Sequence, residues 1–219
     1  MSEEVKGSTV GTRRYRSPRR AQQAAGTRRA VLAAARDLLS EVGYPAMTVA
    51  QIARRAEVAV DTVYASVGRK PQVLRQLVET ALSGTDETVP AAERDYVVRI
   101  QAASTAREKI TIYAQAIALI QARMAPVFLA LRDAAAADPD TTALWREISE
   151  RRARNMRDFA ANLRTTGELR DDLSDDEVAD IIWSMNAAEY WVLLVHERGW
   201  TPDRFSRWIT DAWTRLLLA

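Results

Sequence analysis

Few side chains in this sequence are equipped for covalent or metal chemistry. There is one histidine, His196, and no cysteine among 219 residues. One imidazole cannot furnish a histidine-rich metal site, and a serine triad would have to be built around it. The absence of thiols removes disulfides, thiolate zinc sites and cysteine nucleophiles together. Neither GxGxxG nor the longer phosphate-loop pattern occurs. The expectation is therefore no catalytic residue, no metal and no cofactor, and composition disfavours an enzyme. What remains is recognition chemistry in residues 48–67. Two short helical patterns flank a tight turn at Glu57-Val58-Ala59, and Ile52, Ala53, Val58 and Val63 would weld them together. Val60, Asp61, Thr62, Tyr64, Ala65 and Ser66 then point outward. A major groove admits one α-helix whose N-terminal residues meet base edges, so this is a helix-turn-helix reading.

The elements that must position these residues read as all-α. Apolar residues form 47% of the chain and Gly and Pro are few, 8 and 7. Residues 1–27 are rich in Gly, Ser and Arg, including Arg13, Arg14, Arg16, Arg19 and Arg20, and read as a disordered basic arm. A first helix runs from about Thr27 to Val42 on the stripe Val31, Ala34, Ala35, Leu38 and Leu39, stopped by Gly43. Thr48 caps a second helix, a third carries Val60 to Val67, and Pro71 sits in the first turn of a fourth. Residues 84–105 read as a linker. Five helical patterns follow: Ile110 to about Arg123, Val127 to Leu131, Leu144 to Leu163, Val178 to Val192, and Phe205 to Leu217. The architecture expected is a head over 28–83 and a larger helical body over 84–219. No membrane span and no secretion signal are expected, which suggests a cytoplasmic protein.

Charge is segregated. Residues 1–83 carry 14 Lys/Arg against 7 Asp/Glu, and residues 84–219 carry 17 against 22. A basic head on an acidic body suggests nucleic-acid binding at one end.

The run Arg29-Ala-Val-Leu-Ala-Ala-Ala-Arg-Asp-Leu-Leu, then Gly43-Tyr44, Thr48-Val49-Ala-Gln-Ile52-Ala53, Thr62-Val63-Tyr64 and Gly68-x-Lys70, resembles the TetR (tetracycline repressor) family of transcriptional regulators. The C-terminal half looks like one branch of it, through Asp138-Pro139, Leu144-Trp145-Arg146-Glu147-Ile148 and Glu197-Arg198-Gly199-Trp200. The resemblance implies a homodimeric, ligand-responsive regulator, a repressor on a palindromic DNA operator, with a small-molecule effector. It implies phosphate contacts by Thr48, Tyr64 and Lys70 and a base-facing side made of Val60, Asp61, Thr62, Ala65 and Ser66. Glu57 stands where the family commonly has glycine, Ala59 replaces the usual serine cap, and Val60-Asp61 replaces a Lys-Gly-like pair. The arm arginines Arg13, Arg14 and Arg16 would add backbone or minor-groove contacts. An alternative in another class is an all-α small-molecule-binding or enzymatic bundle whose head has lost DNA binding. Charge segregation together with Thr48, Tyr64 and Lys70 discriminates against it.

In the body, Tyr113, Met124, Phe128, Trp145, Met156 and Phe159 are core residues by default. The resemblance implies a ligand pocket that some of them line, with Met185 beside them. Arg152 lies on the stripe of Trp145, Ile148 and Phe159 and should face inward, where a charge needs a partner. Glu189, among Ile182, Met185 and Val192, is the expected partner, and an ion pair is favoured over an anionic ligand. The acidic set Asp175, Asp176, Glu177 and Asp180 reads as a helix N-terminus. The last two helices show a second apolar face, Trp183, Ala187, Tyr190, Trp191 and Leu194 on one, Trp208 and Trp213 on the other. Helices apolar nearly all round need cover on more than one side, which a two-fold interface would supply.

Overall fold

The computed structural model describes residues 18–85, 89–136 and 138–219. Arg13, Arg14 and Arg16 lie outside the described residues. The molecule is helical, with no strand among the described residues.

Helix α1 (Pro18–Ala46) begins nine residues earlier than the apolar stripe suggests. Residues 18–27, expected to be part of a disordered arm, are helical, and their sequence explains why. Ala21, Gln22, Gln23, Ala24 and Ala25 are good helix formers with no apolar pattern to betray them. Gly43 (φ 72°, ψ 169°) breaks the helical path, and the turn beyond it buries Tyr44 and Met47. Helix α2 (Val49–Arg55) starts at a capping box, in which the Thr48 hydroxyl accepts from the Gln51 N–H and the Gln51 side chain accepts from the Thr48 N–H. Helix α3 (Val60–Ser66) has no side-chain cap at Ala59. Helix α4 (Lys70–Ser83) buries Val73, Leu74, Leu77, Val78 and Ala81. Gly84 closes it in the left-handed region (φ 69°).

The expected linker contains a helix. α5 (Asp95–Ala102) buries Ile100, and the buried Lys109 ammonium donates to the Ile100 carbonyl at 2.7 Å and to Asn162 Oδ1 at 2.9 Å. A cation on the last carbonyls of a helix satisfies both its charge and the orphan acceptors. Two expected helices are one: α6 (Ala106–Ala135) runs through Pro126 without ending. It is the axis of the molecule, packed by α10, α7, α4, α5, α1 and α9. By length and composition α6 could cross a membrane, against expectation, yet 61% of its most apolar stretch is buried inside the fold. Helix α7 (Pro139–Arg164) is capped by Asp138.

The expected penultimate helix is broken. α8 (Asp175–Met185) ends at Asn186, Ala187 is extended (φ −66°, ψ 150°), and α9 (Ala188–Trp191) restarts the chain. α9 continues into a π-helical turn at Val192–Glu197 that holds the exposed His196. The acids Asp175, Asp176 and Glu177 occupy the first turn of α8, where Ser174 and Glu177 form a capping box. Helix α10 (Pro202–Leu217) buries Phe205, Ile209, Trp213 and Leu217, an unbroken i, i+4 stripe.

Candidate DNA interface and effector site

The head presents α3 as expected. Ile52, Ala53 and Val63 are fully buried between α1, α2 and α3, and Val58 packs beside them. Val60 and Tyr64 are 40% and 48% exposed, Asp61 and Ala65 are exposed, and Thr62 and Ser66 are half-buried. Thr48 is exposed at the start of α2. Glu57 sits at φ 56° in the α2–α3 turn, the one described non-glycine residue in that region. Lys70 stands differently from a free surface lysine. Its ammonium donates to the Pro45 carbonyl at 3.2 Å and lies 4.2 Å over the Tyr44 ring. Burial lowers its pKa, partly offset by the charge of Asp138 from the start of α7. Burial also pushes the Tyr44 phenol up to about 12, with Asp138 and Asp140 adding to the effect. The α7 N-terminus thus meets the head beside Lys70.

Head and body are joined through α4. Arg75 donates a fork to both oxygens of Glu147 on α7, at 2.6 and 2.7 Å. One turn further along both helices, Arg151 of α7 pairs with Glu79 of α4 at 2.8 Å. The signs alternate, plus then minus on α4 and minus then plus on α7, so only one register satisfies both pairs. Arg123 of α6 donates to the Ala81 carbonyl at 3.1 Å. Its guanidinium lies so near Gly84 that a Cβ there would come within 2.8 Å of a guanidinium nitrogen.

The expected pocket residues converge inside the body. Tyr113 stacks on Trp213 at 5.7 Å and meets Phe159 at 4.9 Å. Phe128 lies 4.5 Å from Trp145, and Met124 and Met156 are buried. Met185 is half-buried at the end of α8. The expected Arg152–Glu189 ion pair does not form. Glu189 pairs with Arg132, whereas Arg152 donates to Asn186 Oδ1 at 2.5 Å and to the Trp183 carbonyl at 3.3 Å. Its guanidinium lies between two rings, 5.3 Å from Phe128 and 5.1 Å from Trp183. Burial lowers its pKa, and the nearby Tyr113 and Glu189 only partly oppose this.

Sequence reasoning missed Asn186 and Gln121, which organise this cluster. Asn186 Nδ2 donates to the Tyr113 hydroxyl at 2.9 Å, and Gln121 Nε2 donates to the Asn186 carbonyl at 2.5 Å. A polar residue inside an apolar stripe was the available signal, since Gln121 follows Ile117 and Ile120. An open cleft of about 230 Å³ between α6 and α10 is lined by Arg107, Thr111, Gln115, Ser206, Arg207, Thr210 and Asp211 and contains none of the expected pocket residues.

The expected second apolar face divides. Trp191 is 2% exposed and meets Phe205 edge-on at 5.2 Å, and Trp213 is wholly buried on Tyr113. Both belong to the monomer core, because α9 and α10 turn those faces toward α6. Trp183, 37% exposed, covers Arg152. Tyr190, Leu194 and Trp208 are half-buried, as is Ala187, with Tyr190 stacked on Trp208 at 5.8 Å and Leu193 51% exposed beside them.

Residues 31–77, the segment containing this helix-turn-helix, match the family described as bacterial regulatory proteins, tetR family. The chain carries a tetR-family head. No curated protein matches the chain in sequence. Among solved structures, it is similar to SmeT in complex with triclosan, at 17% identity and TM-score 0.68, over 89% of this chain and 92% of that one. It is similar to TylP, a tetR regulator from Streptomyces fradiae, at 20% identity and TM-score 0.61, over 90% and 89%. It is also similar to a transcriptional regulator from Saccharomonospora viridis in complex with choline, at 17% identity and TM-score 0.65, over 89% and 99%. The likeness extends past the tetR-family head to the body, so the described residues share the fold of these structures from head to body.

Proposed function

We propose that the chain is a homodimeric, effector-responsive transcriptional repressor that binds a palindromic operator. The head spans 18–83, because α1 starts at Pro18, the body spans 84–219, and residues 1–17 supply a basic arm. Thr48, Tyr64 and Lys70 take phosphates, and Val60, Asp61, Thr62, Ala65 and Ser66 face the bases. No Arg, Lys, Asn or Gln stands on that face for bidentate base reading, so affinity is mostly electrostatic and specificity per half-site modest. The observation that carries the reading is the tetR-family head with α3 open to solvent, registered on the body by the paired Arg75–Glu147 and Glu79–Arg151 bridges. An effector acts on DNA only by preferring one spacing of the two heads, and a body that holds α4 in one register can set that spacing. The triclosan and choline bound by two structural relatives support a small-molecule effector here.

Selection of bound sequences from random DNA tests this. An inverted repeat with half-sites about 34–36 Å apart is expected. Removing residues 1–17 takes away Arg13, Arg14 and Arg16 and should flatten the plot of log affinity against log salt by about 0.9 for each phosphate no longer neutralised. No enrichment over the input pool would refute the reading.

A further inference from the structure

We propose that the effector is an organic carboxylate with a flat apolar body, its carboxylate taken by Arg152. This rests on the effector-binding reading of the body given above and names the chemistry of that site.

Arg152 carries a charge into the body without an acid to answer it. Its acceptors, the Asn186 side-chain oxygen and the Trp183 carbonyl, are neutral. The acid whose charge reaches it, Glu189, is committed to Arg132. A half-buried guanidinium set against two rings, with neutral hydrogen-bond partners, leaves part of its Coulombic attraction unused, and a carboxylate is the guest whose planar geometry matches its fork.

The surroundings describe the rest of the guest. Phe128 and Trp183 face the guanidinium, and Trp145 continues the wall behind Phe128. Flat rings are what such a wall receives. Gln121 supplies a second, independent indication. It is 5% exposed, and its side-chain oxygen has no hydrogen-bond partner while its nitrogen is held by Asn186. A buried acceptor left unmade costs free energy, and this one belongs to a side chain bonded to the residue that holds Arg152, so an O–H or N–H from a guest would offset that cost.

The group that now occupies the carboxylate's place sits where the chain can yield. Asn186 is the break between α8 and α9, so displacing its side chain from Arg152 requires no helix to unwind. The next residue along α7 from Arg152 is Arg151, which holds Glu79 of α4. A carboxylate drawn to Arg152 is therefore felt one residue from the bridge to the DNA-binding head.

The test uses the full chain and three flat probes, benzoate, 2-naphthoate and indole-3-acetate, each beside its own amide, with decanoate and its amide as the flexible control. Binding is read by calorimetry. At least one flat carboxylate should bind about tenfold or more tightly than its amide, the size expected of one charge-assisted contact, and more tightly than decanoate. Arg152→Gln should equalise the pair while helicity stays unchanged, and Arg152→Lys should restore part of the preference. The proposal is overturned if no carboxylate outbinds its amide, or if Arg152→Gln keeps the preference. An amide that binds tightly and releases DNA would refute the carboxylate class while leaving the effector-responsive regulator standing. Loss of sequence-specific DNA binding by the unliganded chain would strike that broader reading instead.

Discussion

Glu57 holds a backbone conformation that favours glycine, φ 56° in the turn between α2 and α3. A side chain there costs about 1–2 kcal/mol, and glycine's extra freedom in the unfolded chain returns about 0.5–1 kcal/mol of that. Glu57→Gly should therefore stabilise the protein by about 0.5 kcal/mol and raise Tm by about 1–2 °C. Glu57→Ala, which keeps a Cβ, should not. Equal melting temperatures for the two variants in calorimetry would show that the turn is unstrained. At this scale the head was readable and the body was not. Thr48, Val63 and Glu57 announce their roles through local rules of capping, spacing and turn geometry. Arg152 does not, because its partner is settled by which acid stands nearer in space. Glu189 lies on the right helix for Arg152 yet reaches Arg132, and Asn186 takes its place.

The bridge between α4 and α7 works through register. Each pair is partly exposed, so each contributes no more than about 1 kcal/mol to stability. Their joint effect is geometric, since sliding α4 by one turn would place Arg75 against Arg151 and Glu79 out of reach of its partner. Glu147→Gln should leave folding nearly intact but weaken the effector's power to release DNA, and swapping both pairs together (Arg75→Glu and Glu79→Arg with Glu147→Arg and Arg151→Glu), which keeps the alternation of sign, should preserve it. Gel-shift titrations with and without effector would measure this, and undiminished release in Glu147→Gln would remove the bridge from the mechanism. The Arg75 hydrogen bonds hold the Glu147 carboxyl below its ordinary pKa. Its contribution is thus present above the unfolded glutamate value of about 4.3 and disappears as pH falls through the lower folded value. Helix boundaries that were legible are those punctuated by Gly43, Thr48, Pro71 and Pro202. The misread ones share a cause. Apolar spacing continues through Asn186 although the helix breaks there, and Pro126 suggests an end that packing on all sides of α6 overrides.

For the whole molecule, the surface left for the proposed dimer is narrower than the apolar composition of the last two helices suggests. With Trp191 and Trp213 consumed by the core, the outward residues are Tyr190, Leu193, Leu194 and Trp208. Leu193→Asp, at a position 51% exposed in the monomer, should leave helicity intact and yield monomers at low micromolar concentration by light scattering. Persistence of the dimer would move the interface elsewhere. Trp191→Arg would be the wrong experiment, because an unpaired charge in the core costs on the order of 3–5 kcal/mol and unfolds the chain.

Positive charge in this protein is carried almost entirely by arginine, with lysine only at positions 6, 70 and 109. Lys109 is shut away under the end of α5, 4% exposed with its ammonium bonded on two sides. Among the described residues, Lys70 is then the primary amine a water-borne acylating reagent can reach, and it stands on the head. Chemical footprinting of this molecule accordingly reduces to very few peptides, and on the proposed docking the one bearing Lys70 should lose label when DNA is added.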